Sequence, residues 1–356
     1  MARSLGLAVD PTAGGTKYDD TVATPTPVAI PDPTVWIPAT TATMSRNPNN
    51  LNRNNEVRGV RGSAAPIAFS ADPTVSFESR AYPQVAKLVL SAALSGTPAA
   101  TGTAPAAITT KIEPTQANPL RTLVAHLHRE EQYEVESGIA IDSVELKLPA
   151  DAEGTLTVEG KALYHDVKQT LPSPLPTTSY TGLGANTFML RDVKAYKGAG
   201  AGVLIDCLAG LTIKFDNGLI DDFTSRFCAG QNVRSYTVNS QSYRQWYPTR
   251  HRIGPQLITG RLDFGLTRPD LELERVLAVA DKLVIEASAG PISPATTPPV
   301  DEVLRITLAK SVLTGGGADP LVDEGDIKSN YEFGGFVDPS TGKDITVEFV
   351  SKLAVS

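Results

Sequence analysis

The stretch Thr74-Val-Ser-Phe-Glu-Ser-Arg-Ala-Tyr-Pro-Gln-Val-Ala-Lys-Leu-Val-Leu-Ser-Ala-Ala-Leu-Ser95 decides the fold. Val75 and Phe77 alternate with Thr74, Ser76 and Glu78, the period of a strand with one buried face. Pro83 then opens a helix, because the N–H it lacks is one that the first turn leaves unbonded anyway. Val85, Leu88, Val89 and Ala92 have the i, i+3, i+4, i+7 spacing of a buried helix face, and Gly96 is placed to end it. The same passage from strand to helix comes again at residues 262–280, Leu-Asp-Phe-Gly-Leu-Thr-Arg-Pro-Asp-Leu-Glu-Leu-Glu-Arg-Val-Leu-Ala-Val-Ala. There Thr267 and Asp270 have capping-box spacing, and the expected buried face is Leu273, Val276, Leu277 and Ala280. Phe77 matches Phe264 at an offset of 187, and Pro83 matches Pro269 at 186. Thr157-Val158-Glu159 matches Thr346-Val347-Glu348 at 189. Three separate matches near one offset predict a tandem duplication.

Working outward, 356 residues fit two domains of ordinary size. The reading assigns residues 1–34 to a flexible N-terminal arm, 35–170 to a first domain, 171–200 to a linker and 201–356 to a second domain. The arm is rich in Pro, Thr, Ala and Gly and has no periodicity. It carries one basic residue near its start and no apolar core of signal-peptide length. With 41% hydrophobic and 20% charged residues the composition is that of a globular protein. No apolar run approaches the roughly 20 residues that span a bilayer, so no membrane insertion is expected. Cys207 and Cys228 are read as small buried hydrophobes, since two cysteines make no disulfide framework.

Strands are expected at 34–44, 66–79, 120–128, 138–148 and 155–166, then at 201–216, 257–266, 282–288, 302–310, 328–337 and 343–354. Val144, Leu146 and Leu148 alternate with Ser143, Glu145 and Lys147 to make the first half of a long hairpin. Two loops interrupt the pattern. Residues 45–62 are dense in asparagine and hold Arg46, Arg53, Arg58 and Arg61 against Glu56. Residues 231–256 hold Arg234, Arg244, Arg250 and Arg252 and no acid. Removing these basic segments from a net charge of −7 leaves −14 on the rest of the chain. Such asymmetry speaks about partners. The second loop interleaves Arg with Tyr236, Tyr243, Trp246 and Tyr247, residues that stack on single-stranded nucleic acid or anchor protein interfaces. The interface is the favoured reading, because the first loop is basic without aromatics. Charge complementarity between stacked copies needs only basic loops and an acidic receiving face.

Catalytic constellations are not evident. His126, His128 and Glu130 share a strand face but have no other His or Cys near in sequence, and read as polar residues on a solvated face. Asp319, Asp323, Glu324 and Asp326 cluster beside a triple glycine without EF-hand spacing. Gly198-Ala-Gly-Ala-Gly202 lacks the P-loop lysine. No cofactor or metal is expected, and aromatics at 6% leave little for a sugar-binding cleft.

Two mainly-β halves, each with a strand, a long loop, a strand, one helix and a closing hairpin, resemble the major tail tube proteins of long-tailed bacteriophages. The residues that carry the likeness are Asn55-Glu-Val-Arg-Gly59, Thr74-Val-Ser-Phe77 with the helix after Pro83, and the hairpin at 143–164. In the second half they are Leu211-Thr-Ile-Lys-Phe215, the strand around Gly260, the helix after Pro269 and the strands to Val355. The resemblance implies two tandem tail-tube-like β-sandwich or barrel domains, each with one short flanking α-helix. It implies a structural, non-enzymatic virion protein, assembled in the host cytoplasm into stacked rings around a channel that conducts double-stranded DNA. Two fused tube domains imply trimeric rings with pseudo-sixfold symmetry. The implied partners are further copies of the chain, a tape measure protein, a tail terminator and tail tip proteins, with transient, non-specific passage of DNA. In this frame Arg46, Arg53, Arg58, Arg61, Arg234, Arg244, Trp246, Tyr247, Arg250 and Arg252 are the expected inter-ring contacts. Glu145, Lys147, Glu159 and Glu348 are the expected channel-facing residues. The alternative within the same class is another phage ring protein: a tail terminator, a distal tail protein or a capsid decoration protein.

Overall fold

Alternating burial along most strands, with period 2, makes this a mainly-β chain. The computed structural model describes residues 3–11, 30–51, 67–96, 98–102, 106–114, 120–129, 132–168, 186–198, 202–222, 232–238, 241–248, 250–265, 268–292, 300–318 and 329–351. The first half runs β1 (Arg3–Val9), β2 (Val35–Ile37), β3 (Thr41–Ser45), β4 (Pro48–Leu51), β5 (Ile67–Ala71), β6 (Thr74–Arg80) and α1 (Pro83–Ala93). It continues with β7 (Ala99–Thr101), β8 (Ile108–Ile112), β9 (Leu123–Arg129), β10 (Gln132–Pro149), β11 (Thr155–Lys161) and β12 (Tyr164–Lys168). The second half runs β13 (Val193–Lys197), β14 (Val203–Ile205), β15 (Leu208–Asp216), β16 (Ile220–Asp222), β17 (Val233–Val238), β18 (Gln241–Trp246) and β19 (Arg250–Arg252). It ends with β20 (Leu257–Phe264), α2 (Pro269–Val276), β21 (Asp281–Pro291), β22 (Asp301–Ala318), β23 (Ser329–Phe336) and β24 (Ile345–Ser351).

Each half is built on one 18-residue strand, β10 or β22. The N-terminal part of β10 pairs with β9 and β12, and its C-terminal part with β11. The N-terminal part of β22 pairs with β21 and β24, and its C-terminal part with β23. The remaining pairings correspond too. β2–β1–β9 answers to β14–β13–β21, and β3–β6–β11 answers to β15–β20–β23. All of these are antiparallel. Phe77 with Phe264 and Pro83 with Pro269 therefore lie on corresponding elements. The third sequence match does not. Thr157-Val158-Glu159 is in β11 and Thr346-Val347-Glu348 is in β24, whose counterpart is β12. A three-residue match on strands of identical period carries too little information to separate neighbouring strands.

Other expectations change for physical reasons. Residues 3–9, assigned to the arm, form β1, because Leu5 and Leu7 are fully buried opposite Leu127 and Ala125. The two expected loops contain strands. β4 and β5 pair, β17 and β18 pair, and Trp246 meets Ser70 in a parallel bridge, so the loops of both halves share one small sheet. Cys207 is exposed, with a positive φ of 62°, while Cys228 lies outside the described residues. The linker core at 171–183 and the acidic cluster at 319–326 also lie outside them. Pro83 stands in the first turn of α1 as expected, but the left-handed residue that ends the helix is Ser95 (φ 49°), not Gly96. Gly96 is required by close approach instead: a Cβ there would stand 2.1 Å from the Glu113 carbonyl oxygen.

One hydrophobic cluster runs through both halves, from Leu5 to Phe349, with Phe188, Phe215, Phe264 and Phe333 among its largest fully buried side chains. Gly260 lets β20 pass under the Phe333 ring. A Cβ at that position would stand 2.1 Å from the ring's Cζ and 2.6 Å from the Thr212 carbonyl oxygen. The carbonyl cannot turn away without breaking the β15–β20 ladder. Gly260→Ala is therefore expected to destabilise the fold by about 1–3 kcal/mol, read as a lowered urea midpoint. An unchanged midpoint would mean that the ring and ladder yield freely.

Candidate assembly interface

An extended surface with a common chemistry is one face of the sheet β3–β6–β11–β10–β15–β20–β23–β22. Its continuity depends on a seam where the C-terminal part of β10 pairs with β15, from Ser143↔Asp216 to Pro149↔Gly210. Along one side every second residue enters the core, including Val144, Leu146, Leu211, Ile213 and Ile258. The opposite side is mainly polar, apart from the exposed Leu257 and Phe336. It carries the acids Glu78, Glu145, Glu159, Asp216, Asp263 and Glu332 and the bases Arg80, Lys147, Lys161, Lys214, Arg261 and Lys310. Six of each sign balance to zero. They are also interspersed: Glu145 lies opposite Lys214, and Arg261 opposite Glu332. Lys147 Nζ is 2.9 Å from Glu145 and Lys214 Nζ 3.7 Å from Asp216. These are exposed pairs that contribute little to stability. Their effect is to leave no block of like charge on the face.

Three of the four expected channel-facing residues, Glu145, Lys147 and Glu159, meet on this face. Glu348 does not. It lies on β24 in a different ladder, where Arg305 bridges it at 3.1 Å and Glu286 at 2.6 Å. On this face the acidic strand residues alternate with Lys and Arg.

The seam is fixed by more than strand pairing. Asn217, which follows β15, is buried and donates from Nδ2 to the carbonyls of Ala93 (2.8 Å) and Ile141 (2.9 Å). The Leu219 N–H donates to Asp142 (2.7 Å). Behind the seam β8 of the first half pairs with β24 of the second, from Ile108↔Ser351 to Ile112↔Val347. Helix α1 lies against both halves. Its Lys87 Nζ donates to Ser351 Oγ (3.0 Å), and Gln84 Nε2 to Glu302 Oε1 (3.4 Å). Nearly all of α1 is buried by this arrangement. Asn217, Lys87 and Gln84 carried no signal in the sequence, since each acts on a residue more than 100 positions away.

The expected inter-ring residues divide. Tyr247 is fully buried within the chain, its ring 6.3 Å from that of Tyr164, so it is not a surface contact. Arg46 hydrogen-bonds Gln245, which ties the two former loops together. Trp246 is half-buried beside β5. Arg250 and Arg252 are exposed on either side of the buried His251. Arg234 and Arg244 stand on β17 and β18, opposite Gln245 and Ser235. Arg53, Arg58 and Arg61 lie outside the described residues.

His126 is buried, not solvated. It contacts the Tyr133 hydroxyl and, 2.9 Å away, the Pro31 carbonyl, while Glu130 is outside the described residues. On the other face of that ladder, His165 Nδ1 meets Glu136 at 2.9 Å. Burial, and then the charge of Glu134, push the Glu136 carboxyl well above its usual range. The corresponding register position in the second half pairs Ile306 with Val347, so this polar pair belongs to the first half alone. Among the described residues no group of three or more His, Cys, Asp or Glu is placed to hold a metal ion. No helix among them is long and apolar enough to cross a membrane. No protein-family model matches the chain, and no curated protein matches it.

Lys87 provides a test of the seam. Burial lowers its pKa from 10.5 to about 8, against the opposing charge of Glu302. Between these values the unfolded chain holds a proton that the folded one lacks, so stability rises with pH. Unfolding free energy is expected to increase from pH 8 to pH 10, within a ceiling of roughly 3 kcal/mol. The increase should vanish in Lys87→Met, measured by urea titration. A rise that persists in the variant would assign it to another group.

Proposed function

We propose that this chain is a structural subunit of a bacteriophage tail tube, with two tandem tube domains, that assembles into stacked rings around a DNA-conducting channel. The observation that carries the reading is the continuous sheet with a polar, charge-balanced face. A curved sheet of this kind lines a channel without offering the block of Lys and Arg that would hold the phosphate backbone by counterion release. Balance of sign is what would let a polyanion slide. Glu145, Lys147 and Glu159 face the lumen in this reading, and the role is structural, without catalysis.

The two halves share the pairing pattern of eight strands and a helix, so each counts as one tube domain and three chains complete a pseudo-sixfold ring. The seam within the chain is then the template for the seam between chains. Rings stack head to tail, a heterologous contact that grows a filament. Arg250, Arg252, Arg234 and Arg244 lie on the hairpins best suited to that contact. Further copies of the chain, a tape measure protein, a tail terminator and tail tip proteins are the partners of such a tube.

Negative-stain electron microscopy of the concentrated protein is expected to show long hollow tubes. Single closed rings would favour a tail terminator, distal tail or decoration protein instead, and monomers under all conditions would overturn both. Replacing Arg234, Arg244, Arg250 and Arg252 with Ser is expected to shorten tubes while leaving the thermal midpoint unchanged. Normal-length tubes from that variant would remove these residues from the inter-ring contact.

A further inference from the structure

Helix α2 presents to solvent the residues that its sequence pattern marks as buried. Leu273, Val276 and Leu277 are 61%, 66% and 64% exposed, and of the helix only Leu271 is buried. Their counterparts in α1, aligned on Pro83 and Pro269, are Lys87, Leu90 and Ser91, which are 3%, 0% and 0% exposed. The difference lies in the neighbours. The outer side of α1 meets the other half of the chain: the start of β22 at Glu302 and the end of β24 at Ser351. Among the described residues no corresponding half lies beside the α2 stripe. A second feature has the same history. Residues 312–318 of β22 have β23 as their one strand partner among the described residues, whereas the corresponding part of β10 pairs with β11 and with β15. Both have counterparts in the first half that meet the second half: Lys87 for the helix and the C-terminal part of β10 for the edge.

We propose that the α2 stripe and the 312–318 edge dock together onto the first half of a second copy of this chain. This rests on the ring reading above and specifies its contact. The receiving surface follows from the internal seam. The start of β10 near Gln132 and the end of β12 near Lys168 correspond to Glu302 and Ser351, and β3 corresponds to β15. Leu273, Val276 and Leu277 replace the Lys87–Ser351 contact by apolar burial. The junction between chains is therefore more apolar at the helix than the junction within the chain. Burial of that stripe is the driving force of association, and strand pairing at the 312–318 edge sets the register.

Two experiments on the full-length chain test this. In the first, Leu273→Glu with Leu277→Glu places two charges in the contact. Both sites are exposed in the single chain, so the urea midpoint of the monomer is expected to stay within error of the parent. The concentration for half-assembly, followed by light scattering, is expected to rise roughly 100-fold or more. Unchanged assembly would overturn the proposal and leave the ring reading standing. In the second, p-benzoylphenylalanine at position 276 is irradiated in a mixture of ¹⁵N-labelled and unlabelled chains. Mixed-label crosslinks to peptides containing 132–134 or 168 are expected. Crosslinks from α2 to α2, or to the second half, would overturn it by showing a different symmetry. A chain that stays monomeric throughout would overturn both this contact and the ring.

Discussion

A strand edge must find partners for its N–H and C=O groups, and this constraint organises the whole molecule. It is most visible in β10. Over 18 residues this strand pairs with β9 and β12, then from Ala140 with β11, across a register shift between Ile141 and Ser143, and from Ser143 with β15. Each neighbour satisfies one stretch of its backbone. Because β15 comes from the second half, satisfying the edge of β10 also joins the halves. The core follows from that join: Val144, Leu146, Ile213 and Phe215 belong to one cluster because their strands are hydrogen-bonded neighbours.

The same constraint explains why two similar helices end in different surroundings. In α1 the outer side is closed by the ends of β22 and β24, and a lysine is carried into the contact where Ser351 and Glu302 receive it. In α2 the corresponding positions are leucines and valine facing water. Apolar residues in such a stripe oppose solubility unless something covers them. The contrast lies in the surroundings: Glu302 and Ser351 stand beside α1, whereas Leu273, Val276 and Leu277 of α2 are exposed. Asn217 supports the asymmetry, since it closes the C-terminal end of α1 by accepting burial between Ala93 and Ile141.

Much of this was legible in the residues. The alternation of Val75 and Phe77, the proline openings of both helices and the alternation Val144, Leu146, Leu148 lie on the elements they predict, because local periodicity reports which side of an element is dry. The asparagine- and arginine-rich segments were harder. Their composition favours turns, yet Arg46 with Gln245, and Tyr247 with Tyr164, fold parts of them into a shared sheet and a buried contact. Glu348 lies on a different ladder from Glu145 and Glu159 for a related reason. Its tripeptide resembles Thr157-Val158-Glu159, but a strand's ladder is chosen by pairing partners, which a tripeptide does not encode. The buried Glu136–His165 pair gave no signal, because its two members are 29 residues apart and meet only through strand register.

The sequence by itself determined that the chain is mainly β, that its second half revisits the order of the first, and where each helix begins. Those properties depend on side-chain period and on backbone chemistry within a few residues, and both can be read along a single chain. Tertiary structure alone decided which strand joins the halves, that acids and bases balance across the shared sheet, and which helix face is left uncovered. These depend on pairings between residues far apart in the chain, such as Ser143 with Asp216 and Lys87 with Ser351. No local pattern specifies them, because many strands of the same period compete for each edge and only the assembled core selects among them.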